Sequence, residues 1–107
     1  MTPRAKHRVE DRIAAFGDPV RRAILEMLAE GPRSVGDISG RLPISRPAVS
    51  QHLKVLSKAG LIAHDSVGTR NLYRIEPERV AEVRDYLDDL WHKALGNLKA
   101  RIEKPHQ

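Results

Sequence analysis

Ser45-Arg46-Pro47-Ala48-Val49-Ser50-Gln51-His52-Leu53-Lys54-Val55-Leu56-Ser57-Lys58-Ala59-Gly60-Leu61-Ile62 is the stretch that decides the architecture. Ser45 is an N-cap residue type, whose side-chain oxygen can accept a hydrogen bond from an amide of the first helical turn. Pro47 follows in that turn, where a missing N–H leaves no helical bond unmade. Val49, Leu53 and Leu56 then form an i, i+4, i+7 apolar stripe, and Gly60 ends the helix, which spans Arg46 to Ala59. At 100° per residue, Pro47, Gln51, Lys54 and Lys58 fall opposite that stripe, with Arg46 and Ser50 on one flank and His52 and Val55 on the other. No aliphatic side chain larger than a proline ring lies on the outward stripe, so that face is built to meet something polar.

On the N-terminal side, Ser34 and Asp37 resemble a capping box with Asp in place of Glu. They open a short helix burying Val35, Ile38 and Leu42, with Pro43-Ile44 as the turn into Ser45. Earlier still, Asp18-Pro19 reads as N-cap and first helical residue of a helix with Val20, Ile24, Leu25 and Leu28 on one face, stopped at Gly31-Pro32. Val9, Ile13 and Phe16 repeat at helical spacing and close at Gly17. On the C-terminal side, Leu61–His64 and Asn71–Ile75 are strand-forming runs joined by the glycine-bearing segment Asp65–Arg70, a β-hairpin. Pro77 starts a last helix whose apolar stripe, from Val80 to Ile102, is long enough to carry it to about Glu103. Gly96 weakens its middle by ~1 kcal/mol relative to alanine, a candidate bend.

Short helix, tight turn, polar-faced helix and hairpin make the winged helix-turn-helix layout: mostly α with a small β-hairpin, in one domain over residues 1–107. In it the second helix of the pair enters the major groove and the hairpin reaches along the DNA backbone or into the minor groove. Ser50, Gln51 and His52 have the length and donors to reach base edges, and Gln pairs bidentately with adenine. Arg46, Lys54 and Lys58 suit phosphates, Ser45 can donate to one, and Pro47 shares their face; Arg70 at the wing base suits a narrow minor groove. Charge points the same way. The 107 residues carry +5 in all, and Arg33–Ile75 alone holds seven bases against two acids, also +5, whereas Glu76 to the C-terminus nets −1. A polyanion-binding face accounts for that segregation; chance clustering of surface charge is the bland alternative.

Phe16-Gly17-Asp18-Pro19-Val20-Arg21-Arg22-Ala23-Ile24-Leu25 resembles the opening helix of the ArsR-type bacterial winged-helix repressors. Ser45–Leu56 followed by Ala59-Gly60-Leu61-Ile62 is similar to their recognition helix and first wing strand, and the likeness runs from about Val9 to Leu98. The resemblance implies a homodimer, a palindromic operator and repression relieved by an effector. Familiar members sense metals, and here the pattern departs. A Cys-x-Cys pair on the helix before the recognition helix is matched by Ser34 and Gly36, and the chain has no cysteine at all. A second site of the family uses Asp-x-His with a later His-x-x-Glu. Asp89 and His92 stand one residue too far apart for it, Leu90 fills the acidic position and no Glu follows His106. The expectation is no metal and no cofactor, with the effector left open.

The dimer also follows from the residues. One face of so short a fold covers only part of the last helix, yet its apolar stripe spans about six turns. Packing Val9, Ile13 and Phe16 of the first helix and Leu87, Leu90, Trp91, Leu95 and Leu98 of the last against a second copy would bury the surplus. Trp91 is the anchor, unless it caps the monomer core.

Other classes fit less well. There is no phosphate-binding glycine loop, His-Glu metal pair or nucleophile elbow for an enzyme. Four aromatic residues (Phe16, Tyr73, Tyr86, Trp91), all at core or interface positions, leave no stacking platform for RNA. A winged-helix protein–protein adaptor explains the fold but not the charge. A histidine-based metal sensor would need partners across subunits, joining His92 or His106 to His7, because no two of the five histidines lie at i, i+3 or i+4. With no apolar run able to span a bilayer and no signal peptide, the expected location is cytoplasmic, with double-stranded DNA and a second copy as partners and no membrane.

Overall fold

The computed structural model describes residues 2–103, with side chains from Val9 onward. Its elements run α1 (Thr2–Ala15), α2 (Pro19–Ala29), β1 (Arg33–Ser34), α3 (Val35–Ser39), α4 (Arg46–Lys58), β2 (Ile62–Val67), β3 (Arg70–Ile75) and α5 (Pro77–Ile102). Three of the helix starts are fixed by the expected side chains. Asp18 Oδ2 accepts from Arg21 N at 3.0 Å, Ser34 Oγ from Asp37 N at 3.2 Å and Ser45 Oγ from Ala48 N at 3.2 Å. Each satisfies an amide that the first turn leaves without a helical partner. The Ser34 cap lacks the reciprocal arm of a capping box: the Asp37 carboxylate, one methylene shorter than Glu, turns to Arg70 instead.

Helix α4 ends in a Schellman motif. Gly60, at φ +79°, lets its N–H reach Ser57 O at 3.0 Å while Leu61 N bonds Leu56 O at 3.1 Å. The turn delivers Leu61 and Ile62 into the core. There they join Ile24, Leu25, Leu28, Ile38, Val49, Leu53, Leu56 and Val83, with Tyr73, Ile75 and Val80 packed around them. The expected apolar faces of α2, α3 and α4 are therefore those that meet, although Val35 and Leu42 are half-buried where only Ile38 is fully enclosed.

The sheet corrects the sequence reading twice. It has three antiparallel strands in the order β1-β3-β2, not two: Arg33 pairs with Tyr73 and Ser34 with Leu72. The hairpin is also longer than its hydrophobic residues suggest, continuing through Asp65, Ser66 and Val67 to a two-residue loop, with Val67 opposite Arg70. Gly68 takes the first loop position at φ +64°, and Thr69 has no positive φ, as a type II′ turn requires. The outer half of the wing stands in solvent, so it is held by polar pairs and not by an apolar face. Ser66 Oγ meets Asn71 Oδ1 at 3.1 Å, and Arg74 Nε donates to Asp65 Oδ2 at 2.9 Å.

Helix α5 continues through Gly96 to Ile102. Among the described residues Val83 is its one buried residue, and every residue from Arg84 to Glu103 is exposed. Among the described residues no helix is long and apolar enough to cross a membrane.

Candidate nucleic-acid interface

Along α4 the stripe Val49, Leu53, Leu56 is fully enclosed, which fixes the rotation of the helix about its axis. Arg46, Pro47, Ser50, Gln51, Lys54 and Lys58 are consequently exposed, as the 100° spacing predicts. Ser45 is exposed too; its hydroxyl oxygen holds the Ala48 amide and keeps its own proton for an outside acceptor. His52 differs from its neighbours. It is half-buried, with Nδ1 3.9 Å from Asp18 Oδ2, on the side of α4 that faces the start of α2. The Asp18 carboxyl is held below its ordinary range, chiefly by the Arg21 amide and further by the charges of Arg21 and His52.

Arg70 lies at the tip of the wing and not at its base, because the strands pair out to Val67 and Arg70; there it stands beside α3. Its Nη2 is 3.6 Å from Asp37 Oδ2, and both side chains are more than half exposed. Such a pair is worth at most ~1 kcal/mol and exchanges readily for another anion. A groove of about 380 Å³ runs between the start of α3 and the wing tip, lined by Ser34, Val35, Gly36, Arg46, Thr69, Arg70 and Asn71. It brings guanidinium groups from α4 and from the wing to one opening. Two such forks, in a groove that Ser34 and Thr69 also line, suit phosphate oxygens.

The charge excess of the middle segment resolves into two populations. Arg33 is paired with Glu30, Arg70 with Asp37, and Arg74 with both Asp65 and Glu76, carboxylates that raise the Arg74 pKa above its ordinary value. Among the described residues Arg41, Arg46, Lys54 and Lys58 hold no ion pair, and three of these four project from α4. The uncompensated positive charge therefore gathers on one helix face.

The residues expected at a dimer contact divide. Ile13 and Phe16 are half-buried against the core and Val9 is half-buried on α1. Leu87, Leu90, Trp91, Leu95 and Leu98 are exposed by 46–62%, with Tyr86 and Ile102 beside them. At 62% exposed, Trp91 does not cap the monomer core.

One residue escaped the sequence reading. Arg12 lies within the apolar face of α1, between Val9, Ile13 and Phe16, and is 2% exposed. Its Nε donates to Ala59 O at 2.9 Å and its Nη1 to Glu82 Oε1. A cation inside an apolar helical stripe was the available signal. Among the described residues no three His, Asp or Glu side chains converge as metal ligands. His106 and the side chain of His7, needed for an intersubunit histidine site, lie outside the described residues.

The model of the arsR family of bacterial regulatory proteins matches residues 18–64. The HTH-type transcriptional regulator Rv2034 of Mycobacterium tuberculosis is 49% identical over 89 residues, 83% of this chain and 83% of that protein. Among solved structures, an ArsR-like transcriptional regulator from Rhodococcus sp. RHA1 superposes with a TM-score of 0.82 at 26% identity, over 96% of both chains. The homodimeric winged helix-turn-helix DNA-binding domain of a possible ArsR-family regulator from Mycobacterium bovis does so with a TM-score of 0.69 at 27% identity, over 86% of this chain and 85% of that one.

Proposed function

The chain belongs to the arsR family of bacterial regulatory proteins and is a DNA-binding transcriptional regulator, not an enzyme; on that footing we propose that it acts as a homodimeric repressor. In this reading residues 1–107 form a single domain, and each protomer reads one half of a palindromic operator through the helix 46–59 and the wing 61–75.

The observation that carries this reading is the division of labour on the surface. The unpaired cations Arg46, Lys54 and Lys58 share α4 with Ser50 and Gln51, and Arg70 faces Arg46 across a groove of phosphate-binding character. Gln51 and Ser50 read base edges in the major groove, with His52 at the flank. Arg46, Lys54, Lys58 and Ser45 hold phosphates, Pro47 sets the helix start against the backbone, and Arg70 exchanges Asp37 for the DNA at the wing.

The dimer is supported by shape. The Cα radius of gyration is 18.1 Å, against about 13 Å for a compact chain of this length. The accessible surface is 7845 Å², against about 6,000 Å² for a compact monomer of 12.0 kDa. The excess is larger than the roughly 800 Å² each partner contributes to a standard interface. Trp91, Leu87, Leu90, Leu95 and Leu98 supply its apolar centre, with Val9, Ile13 and Phe16 of α1 at its margin. The homodimeric state of the Mycobacterium bovis domain agrees with this arrangement.

Selection of duplexes from a random pool by the purified protein tests the reading. The expected product is an inverted repeat with half-sites one or more duplex turns apart, each turn ~34–36 Å, bound by two chains. Enrichment of a single unrepeated site, or of no sequence, contradicts it; binding of a protein partner by the α4 face without DNA would favour an adaptor.

A further inference from the structure

Arg12 is the one charged side chain buried among the described residues. It is also the one side chain that bonds α4 on one side and α5 on the other. In the Schellman turn the amides of Gly60 and Leu61 go to Ser57 O and Leu56 O, which leaves the Ala59 carbonyl at the C-terminal end of α4 for an outside donor. Arg12 Nε supplies that donor at 2.9 Å, and its cation sits at the negative end of the α4 helix dipole. Its Nη1 bonds Glu82 on α5, and the second oxygen of the same carboxylate takes Arg79 Nη1 at 3.3 Å. Gly60 makes room for the guanidinium: a Cβ there would stand 3.3 Å from Arg12 Nη2, at a φ of +79° that L side chains rarely adopt.

Packing alone does not call for an arginine here. A buried ion pair can be exchanged for apolar side chains of similar volume with no loss of stability, because the charges must be stripped of water first. What an apolar residue cannot do is join a carbonyl on one helix to a carboxylate on another through the rigid fork of a guanidinium. In the reading given above, on which this inference rests, α1 and α5 carry the dimer contact and α4 enters the DNA. Among the described residues the clasp is the side-chain hydrogen-bonded link that joins α1 and α5 directly to the end of the recognition helix.

We propose that Arg12 is a positioning residue for DNA binding: with Glu82 and the Ala59 carbonyl it fixes the angle of α4 to the dimer axis, and through that angle the operator spacing the protein accepts. Arg12 touches no DNA in this account. Changing the spacer between half-sites by one base pair moves one half-site by about 3.4 Å and turns it by about 35°, so a rigidly held pair of recognition helices rejects it. A pair freed at the α4 C-terminus follows the displaced half-site.

The test uses the inverted repeat selected by the wild-type protein and duplexes with its spacer lengthened or shortened by one base pair. Affinities are measured by fluorescence anisotropy and referred to the active fraction of each preparation. Arg12→Lys keeps the charge but cannot bond both partners in one plane. Glu82→Ala removes the carboxylate from a helix position 41% exposed but leaves the buried Arg12 cation without its partner, so the melting temperatures of both variants are measured and both are assayed below the lower of the two. Wild type is expected to lose roughly tenfold or more for each altered spacer. Both variants, still dimeric by sedimentation, should lose only about two- to threefold. A merely structural role would lower the melting temperature and the active fraction while leaving the spacing penalty of the folded dimers intact, and that result overturns the proposal. A wild-type protein that selects no inverted repeat overturns instead the reading of α4 and the dimer on which the proposal rests.

Discussion

Helices α4 and α5 are both amphipathic, and they leave opposite surfaces open. In α4 the apolar stripe is wholly covered by the chain's own core, and what remains exposed is Arg46, Ser50, Gln51, Lys54 and Lys58. In α5 the apolar stripe is itself exposed from Leu87 onward, because the body of the protein ends at Val83 while the helix runs on to Ile102. The difference teaches that exposure has two meanings here. A cationic face relieved of its apolar side is complementary to a polyanion, whereas an uncovered apolar stripe of Leu and Trp is complementary to another of its kind.

The largest effect that would break this contrast is Trp91→Asp. A carboxylate at the centre of the proposed α5 contact should weaken the dimer by about 3 kcal/mol or more, and sedimentation equilibrium should find monomers at concentrations where the wild type is dimeric. Operator affinity should fall with it, since one recognition helix alone binds half a site. A variant that stays dimeric places the contact elsewhere. Next in size, Gln51→Ala should relax base preference at one operator position by ~1–3 kcal/mol, read from competition among single-base variants of the selected duplex. A uniform loss across all of them would mean that α4 is oriented differently in the groove. Lys54→Ala should be the opposite case, weakening every sequence alike and reducing the slope of log affinity against log salt by about 1.

The smallest effect concerns a residue of neither face. Asp18→Ala removes the cap of α2 and should lower the folding stability measured by denaturant titration, without changing the salt slope. The Asp18 carboxyl is held below its ordinary range in the fold, mainly by the Arg21 amide. Its contribution is therefore complete above the unfolded-state carboxylate pKa and is lost as pH falls through the lower folded value. The wild type should weaken over that acid window more than Asp18→Ala does; parallel losses would show that the cap carries no pH dependence.

Much of this was legible in the residues because it is local. Ser34, Ser45 and Asp18 cap the helices they precede, and the spacing of Val49, Leu53 and Leu56 sets which face of α4 is exposed; each signal lies within one or two turns. What was not legible depends on distant partners. Strand β1 is two residues long and exists because β3 offers its edge, so no alternation could announce it. The outer wing is exposed on both faces, and its strands extend by backbone pairing with no hydrophobic pattern to mark them. Arg12 reaches across 47 residues to Ala59 and 70 to Glu82. Arginine is ordinarily a surface residue, and only its place inside the apolar face of α1 hinted otherwise. Likewise, the Asp37 carboxylate reads from sequence as half of a capping box and is turned in the fold toward Arg70 on the wing.

The central claim, that the cationic face of α4 is where DNA binds, is tested most directly by the salt dependence of duplex binding. Titrating the selected duplex with the dimeric protein by fluorescence anisotropy, at a series of salt concentrations, should give a log affinity that falls linearly with log salt. The Arg46→Ala, Lys54→Ala and Lys58→Ala variants should each flatten that slope by about 1. Binding that is absent, insensitive to salt, or of unchanged slope in all three variants would contradict the account.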